Sequence, residues 1–242
     1  VLLAHTIDDQ VETILMRFSR GSGVDGLVGM KKLIEIHGIS WLRPLLNITR
    51  SNLRKFLKFK KINWVEDPTN EDTKYLRVKS RNIISQLKEI GINNDLVVNT
   101  SVRMENAKKV LDDVAVQAFN NFITLKKWGD IEINKDIFNY CREDTILRTL
   151  AGIIKGISGS VYRPRYRELK NFAEGLNNKN FKARTLSGVL ARAISQNKIV
   201  LRREPSHPLC VSNLKSKNLI WDGRWLVFLT KPLSKSEYIG PL

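Results

Sequence analysis

Along the first quarter of the chain, the apolar positions Val11, Ile14, Leu15 and Phe18 recur at intervals of three and four, which places them on one side of a helix. Asp8 is the expected N-cap of that helix and Gly21 the expected C-terminal cap. The apolar residues 1–4 precede it as a short strand, and a strand running straight into a helix opens an α/β unit. After a glycine-rich segment, RGSGVDGLVGM, the stretch GISWLRPLL has strand character. A helix starting at Thr49 or Ser51 then turns Leu53, Phe56 and Leu57 inward. INWVEDPTN predicts a strand closed by an Asp-Pro turn. Residues 72–87 predict a helix that carries Arg77 and Arg81 one turn apart.

The pattern breaks at Gly91, Asn93 and Asn94, which sets the expected boundary between a domain of residues 1–90 and a second of 91–242. The second is expected to be mainly helical, with helices over residues 96–122, 142–154 and 166–176. A few strands come late, among them KIVLRRE and NLIWDGRWLVFLT, whose Asp-Gly pair signals a hairpin. No apolar run approaches eighteen residues, so a membrane span is not expected. Cys141 and Cys210 stand far apart and outside any CxxC pair, which fits neither a disulfide framework nor a metal site and makes a cytoplasmic setting the expectation.

Charge changes the picture. The 41 Lys and Arg residues against 24 Asp and Glu leave a formal charge of +17, the footprint of a polyanion binder, with nucleic acid the leading partner. Between Glu35 and Glu66 lie seven cations and no acid: Arg43, Arg50, Arg54, Lys55, Lys58, Lys60 and Lys61. Of these Arg50, Arg54, Lys58 and Lys61, together with Arg81, are the candidate contacts to an RNA backbone.

The sharpest candidate chemistry is His5, Asp8, Asp9 and Glu12 at the strand-to-helix junction, a position that faces the ligand crevice in open α/β sheets. Asp9 and Glu12 share a helix face and offer two carboxylates to a cation, either Mg²⁺ on a phosphate or an ammonium group. Asp8 alone is accounted for by helix capping, and His5 is equally a satisfied interior histidine. The glycine-rich segment contains neither GxxxxGK[ST] nor GxGxxG, and reads as a flexible wall rather than a phosphate cradle. Arg77 and Arg81 suit a polyphosphate, with pairing to Asp67 or Glu71 the competing account.

Taken in order, AHTIDDQVET, RGSGVDGLVGM, RPLL and EDPTNED followed by YLRVKSR resemble the ATP-pyrophosphatase (PP-loop) domain of the tRNA(Ile)-lysidine synthetase family, and RTLSGVL, RRE and WDGRW are similar to its substrate-binding region. The resemblance implies half of a Rossmann-like parallel-sheet domain, of the adenine nucleotide alpha hydrolase type, followed by a tRNA-binding domain. It implies ATP and Mg²⁺ as cofactors and tRNA(Ile) and L-lysine as partners; a homodimer is a further expectation, which the sequence itself does not decide. Lysine is joined to the wobble cytidine through an adenylated intermediate. Asp9 and Glu12 match the family's acidic pair for lysine or metal, with Asp9 as the Mg²⁺ ligand. Arg77 matches its active-site arginine, and Arg20 with Gly21 opens its lysine-side loop. The family's SGGxDS loop does not occur in the sequence, so a chain entered partway into that domain, and inactive by itself, is the expectation. Two other readings stand beside this one: a related tRNA-modifying ATP pyrophosphatase, for whose thiolating type paired cysteines are lacking, and a non-catalytic RNA-binding module.

Overall fold

The computed structural model describes residues 1–36, 38–65, 76–204, 218–221 and 225–228, and within these it leaves aside the side chains of residues 76, 77, 218–221 and 225–227. The chain divides into two compact units, Val1–Val110 and Leu111–Leu242.

In the first unit α1 (Ile7–Phe18) is opened by Thr6, not Asp8. The Thr6 hydroxyl accepts from the Asp9 N–H while the Asp9 carboxylate accepts from the Thr6 N–H, a reciprocal capping box that satisfies two donors at once. Asp8, two positions past the cap of its own helix, serves another. Ser19 is the C-cap, and Gly21 adopts its left-handed φ of +71° just beyond. Val11 and Ile14 are buried as their spacing requires, whereas Phe18 is 67% exposed. Residues 1–4 form no full strand: a single parallel bridge joins Leu2 to Leu42, flanked by the Leu3 N–H to the Leu42 carbonyl and the Leu42 N–H to the Val1 carbonyl. Leu42 ends a hairpin of β1 (Leu33–Ile36) and β2 (Ile39–Leu42). The glycine-rich segment contains a single helical turn, α2 (Val24–Leu27).

The helix α3 (Arg50–Phe59) is capped by Thr49, whose hydroxyl accepts from the Asn52 N–H. Leu53 and Leu57 are half-buried on it, but Phe56 points out, 55% exposed. Residues 62–65 form no strand, and the rest of the expected strand lies outside the described residues, as do Asp67 and Glu71. Then follow α4 (Leu76–Glu89) and the long α5 (Asn94–Phe122), joined by a turn at Gly91, so the break in composition marks this turn; the units divide later, within α5.

In the second unit the strands begin at residue 123, earlier than their sequence signal. β3 (Ile123–Leu125), β4 (Ile131–Asn134), β5 (Ala183–Leu186), β6 (Val189–Ser195) and β7 (Lys198–Arg203) form one antiparallel sheet ordered β3-β4-β7-β6-β5. The short α6 (Ile137–Tyr140), α7 (Glu143–Ser158) and α8 (Tyr166–Asn177) supply the helical layer. Ile133, Leu150, Ile154, Phe172, Leu176 and Leu201 are nearly or fully removed from water in the shared core. The expected hairpin forms between β8 (Asn218–Trp221) and β9 (Trp225–Phe228), with Trp221 opposite Trp225. No helix among the described residues is long and apolar enough to cross a membrane.

Candidate active site

Unit 1 buries about as many polar as apolar side chains. Among its described residues Ile7, Val11, Ile14, Leu46 and Val78 are buried, and so are Thr6, Gln10, Glu12, Ser80 and Ser101. Buried polar groups must be hydrogen-bonded to be tolerated: Thr6 and Glu12 find partners at the N-terminal end of α1, and Gln10 and Ser101 find theirs in the glycine-rich segment.

Glu12 is the centre. Its side chain is 1% exposed, and its Oε1 accepts from Arg81 Nε at 2.7 Å and from Arg50 at 3.1 Å. A second guanidinium nitrogen of Arg50 donates to Asp9 Oδ1. One arginine thus bridges the two carboxylates that share a helix face, and another closes the group from α4. Arg50 is the first residue of α3, where the positive end of the helix dipole disfavours a cation, and no acid stands in that first turn. Asp9 and Glu12 supply the compensation from α1.

Asp8 joins from the side: its Oδ2 accepts the Arg50 backbone N–H at 2.7 Å, satisfying an orphan donor of α3, and its Oδ1 accepts from Asn94 Nδ2 at 3.2 Å. His5, half-buried, accepts from Arg43 Nε through Nδ1 at 3.3 Å.

Burial is the largest single influence on the Asp9 carboxyl and opposes its ionisation. The Thr6 N–H and hydroxyl, then Arg50, outweigh it and hold the group below its ordinary 3.8. For Arg50 burial again leads and works against the charge, but Glu12 and Asp9 prevail and raise its pKa. Asp9 is therefore an anchored anion rather than a proton acceptor tuned to neutral pH.

A magnesium ion does not fit Asp9 as arranged. Oδ2 already accepts from the Thr6 N–H at 2.8 Å and hydroxyl at 2.7 Å, Oδ1 is held by Arg50, and no metal-binding group of three or more His, Cys, Asp or Glu exists among the described residues. The guanidinium occupies the position a cation would take.

The glycine-rich segment is tied down rather than loose. The Gln10 side-chain amide donates to the Met30 carbonyl at 2.9 Å and accepts the Met30 N–H at 2.6 Å, while Arg17 donates to the carbonyls of Gly26 and Gly29 and Ser101 to that of Val28. Gly29, at φ +77°, leaves only 3.0 Å between a would-be Cβ and both Gln10 Oε1 and Ser101 Oγ, so a side chain there would be strained and would press on both neighbours.

Of the residues singled out from sequence, Asp8, Asp9, Glu12, Arg50 and Arg81 come together. Arg20 and Gly21 are exposed at the other end of α1, roughly 15 Å from Asp9 by helix rise. Arg54, Lys58 and Lys61 lie exposed on or just after α3. Arg77 belongs to the first turn of α4, one turn before Arg81, and its side chain lies outside the described residues. Gln10, Arg17 and Asn94 were not legible as site residues. For Arg50 a signal existed: a cation at a helix N-terminus calls for an acidic partner.

Residues 1–87 match the PP-loop domain family. Over its full length the chain is 34% identical to the tRNA(Ile)-lysidine synthase of Wolbachia pipientis wMel, covering 57% of that protein. It is 33% identical, with the same coverage, to that of Wolbachia sp. subsp. Brugia malayi (strain TRS). Over 94% of the chain it is 34% identical to the tRNA(Ile)-lysidine synthase of Ruegeria pomeroyi, covering 53% of it. The chain thus spans a little over half the length of these relatives.

Proposed function

We propose, from the PP-loop domain match over residues 1–87 and the likeness of the chain to tRNA(Ile)-lysidine synthases, that the chain is part of a protein of that family, and that the whole protein uses ATP to ligate L-lysine to C2 of the wobble cytidine in tRNA(Ile) with a CAU anticodon. The C2 oxygen of the cytidine attacks the α-phosphate of ATP and pyrophosphate leaves. The lysine ε-amine then attacks C2, the C2–O bond breaks with release of AMP, and the amine gives up a proton.

The observation that carries this reading is the Asp9–Glu12 carboxylate pair closed by Arg50 and Arg81. A buried carboxylate and a half-buried one, already engaged by cations, are suited to receive another, the lysine ammonium, by exchange. An arginine displaced from a carboxylate is then available to an adenylate phosphate, which it can grip through two nitrogens. Because Asp9 is held ionised by Thr6 and Arg50, its part is to orient lysine, not to remove its proton. Arg77, one turn from Arg81 on α4, takes the role of stabilising charge on the departing AMP.

The test is incorporation of labelled lysine into tRNA(Ile) in the presence of ATP by the whole protein. Asp9→Ala and Arg77→Ala are expected to abolish transfer while leaving tRNA affinity nearly intact. Loss of tRNA binding equal to the loss of activity would overturn the two roles, and no lysine incorporation by the unaltered protein would overturn the function.

A further inference from the structure

Helix α3 carries a feature that phosphate contact by its lysines does not explain. Helical spacing turns Phe56 inward, yet it is 55% exposed, and Phe59, one turn on, is 79% exposed. Two large rings standing in water three residues apart cost hydration free energy, and together they form a small apolar platform rather than scattered exposures. Lys60 lies over both, its Nζ 5.8 Å from the Phe56 ring centroid and 5.5 Å from that of Phe59. Lys55, Lys58 and Lys61, all exposed, are their neighbours along the chain. Aromatic faces interleaved with ammonium groups, and no acid anywhere between Glu35 and Glu66, match a ligand that is anionic along its backbone and planar in its side groups.

We propose that Phe56 and Phe59 are a stacking platform for unpaired RNA bases, with Lys55, Lys58, Lys60 and Lys61 on the adjoining phosphates. Charge decides for RNA over a protein partner: the rings of an ordinary protein interface are not ringed by like charges, whereas each phosphate met by a lysine releases a counterion. Unpaired bases are required because a duplex presents its base faces to one another and leaves none for an aromatic ring. The proposal rests on the reading of the protein as a tRNA-modifying enzyme and adds to it the element that receives the splayed loop.

The test uses the 242-residue chain, without ATP or lysine, and two probes of similar size: a fluorescent RNA stem-loop and a blunt RNA duplex. Both substituted rings are exposed, so Phe56→Ala/Phe59→Ala is expected to keep the fold, as far-ultraviolet circular dichroism would verify. It should weaken stem-loop binding about tenfold or more while barely changing duplex binding or its salt dependence. Lys58→Glu/Lys61→Glu should weaken both probes and flatten the salt dependence. A Phe59→Trp variant should bind the stem-loop normally and lose indole fluorescence on doing so. Equal losses for the two probes, no loss for either, or a ring-dependent dimer seen by sedimentation would each overturn the platform. If the rings prove essential for loop binding but the whole protein transfers no lysine, the platform stands and the proposed reaction falls. If lysine is transferred with unchanged KM for tRNA by the Phe56→Ala/Phe59→Ala protein, the reverse holds.

Discussion

At Asp9 two influences oppose each other: burial favours the neutral acid, while Thr6 and Arg50 favour the anion and win. The folded-state pKa therefore lies below that of the unfolded chain, so the stabilisation is fully present above 3.8 and is lost as pH falls through the folded value. In urea titrations the unaltered protein should lose stability steeply below pH 3.8, and Asp9→Asn should be less stable at neutral pH but flatter across that acid window. An identical acid slope in the two proteins would remove Asp9 from the account. Glu12 is the more exacting neighbour, since its buried carboxylate faces Arg50 and Arg81. Breaking such a pair from one side costs about 3 kcal/mol or somewhat less where, as here, the arginines reach solvent. Glu12→Gln should accordingly lower the urea midpoint more than Arg81→Met does. The pairing of Asp9 with Glu12 was legible in the sequence because three residues make one helix face. Their arginines were harder to read: the Asp9 and Glu12 contacts lie 41 and 69 residues along the chain, where no local periodicity reaches, so both cations read as phosphate ligands, and only the place of Arg50 at a helix N-terminus called for an acid.

The hairpin β5–β6 turns on two residues, Ser187 and Gly188, at φ +51° and +76°. Two consecutive left-handed residues are the conformation that matches the right-handed twist of paired strands. Glycine adopts it freely and serine does not. Ser187→Asn should raise the urea midpoint through a gain in stability of up to ~1 kcal/mol, and Gly188→Val should lower stability by roughly 1–2 kcal/mol. A lower midpoint for Ser187→Asn would mean that something other than backbone strain governs this turn. Elements with strong periodicity were legible, as α1, α5, α7 and α8 are. Ends and hairpins were less so. Thr6 and Asp8 are both good caps, and only the reciprocal bond to Asp9 selects Thr6. In RTLSGVL the serine at the first turn position concealed a hairpin that asparagine would have announced. At Phe18 and Phe56 the apolar spacing overstated the buried face, because a helix pattern records which residues align and not how wide a surface covers them.

Among the described residues the apolar core is concentrated in the second unit, between Ala118 and Leu201, while the first relies on a small apolar set and a network of charges and amides. Stability should be distributed accordingly. Native-state hydrogen exchange is expected to find the slowest amides in β4, β6, β7 and α7, and faster exchange, further accelerated by added salt, in α1 and α3. Uniform protection would argue that polar contacts bind the first unit as tightly as packing binds the second. Charge was the one molecular property fully legible beforehand, since 41 basic residues need no fold to be counted. Those same residues expose the molecule to trypsin almost everywhere, and the order of cutting then depends on what holds each segment. Between Arg20 and Lys31 the chain is fastened by one glutamine amide, one guanidinium, one serine hydroxyl and the Lys108–Asp25 pair. Gln10→Ala removes one of those ties from the buried set of the first unit, and trypsin is then expected to cut at Arg20 and Lys31 earlier than in the unaltered protein.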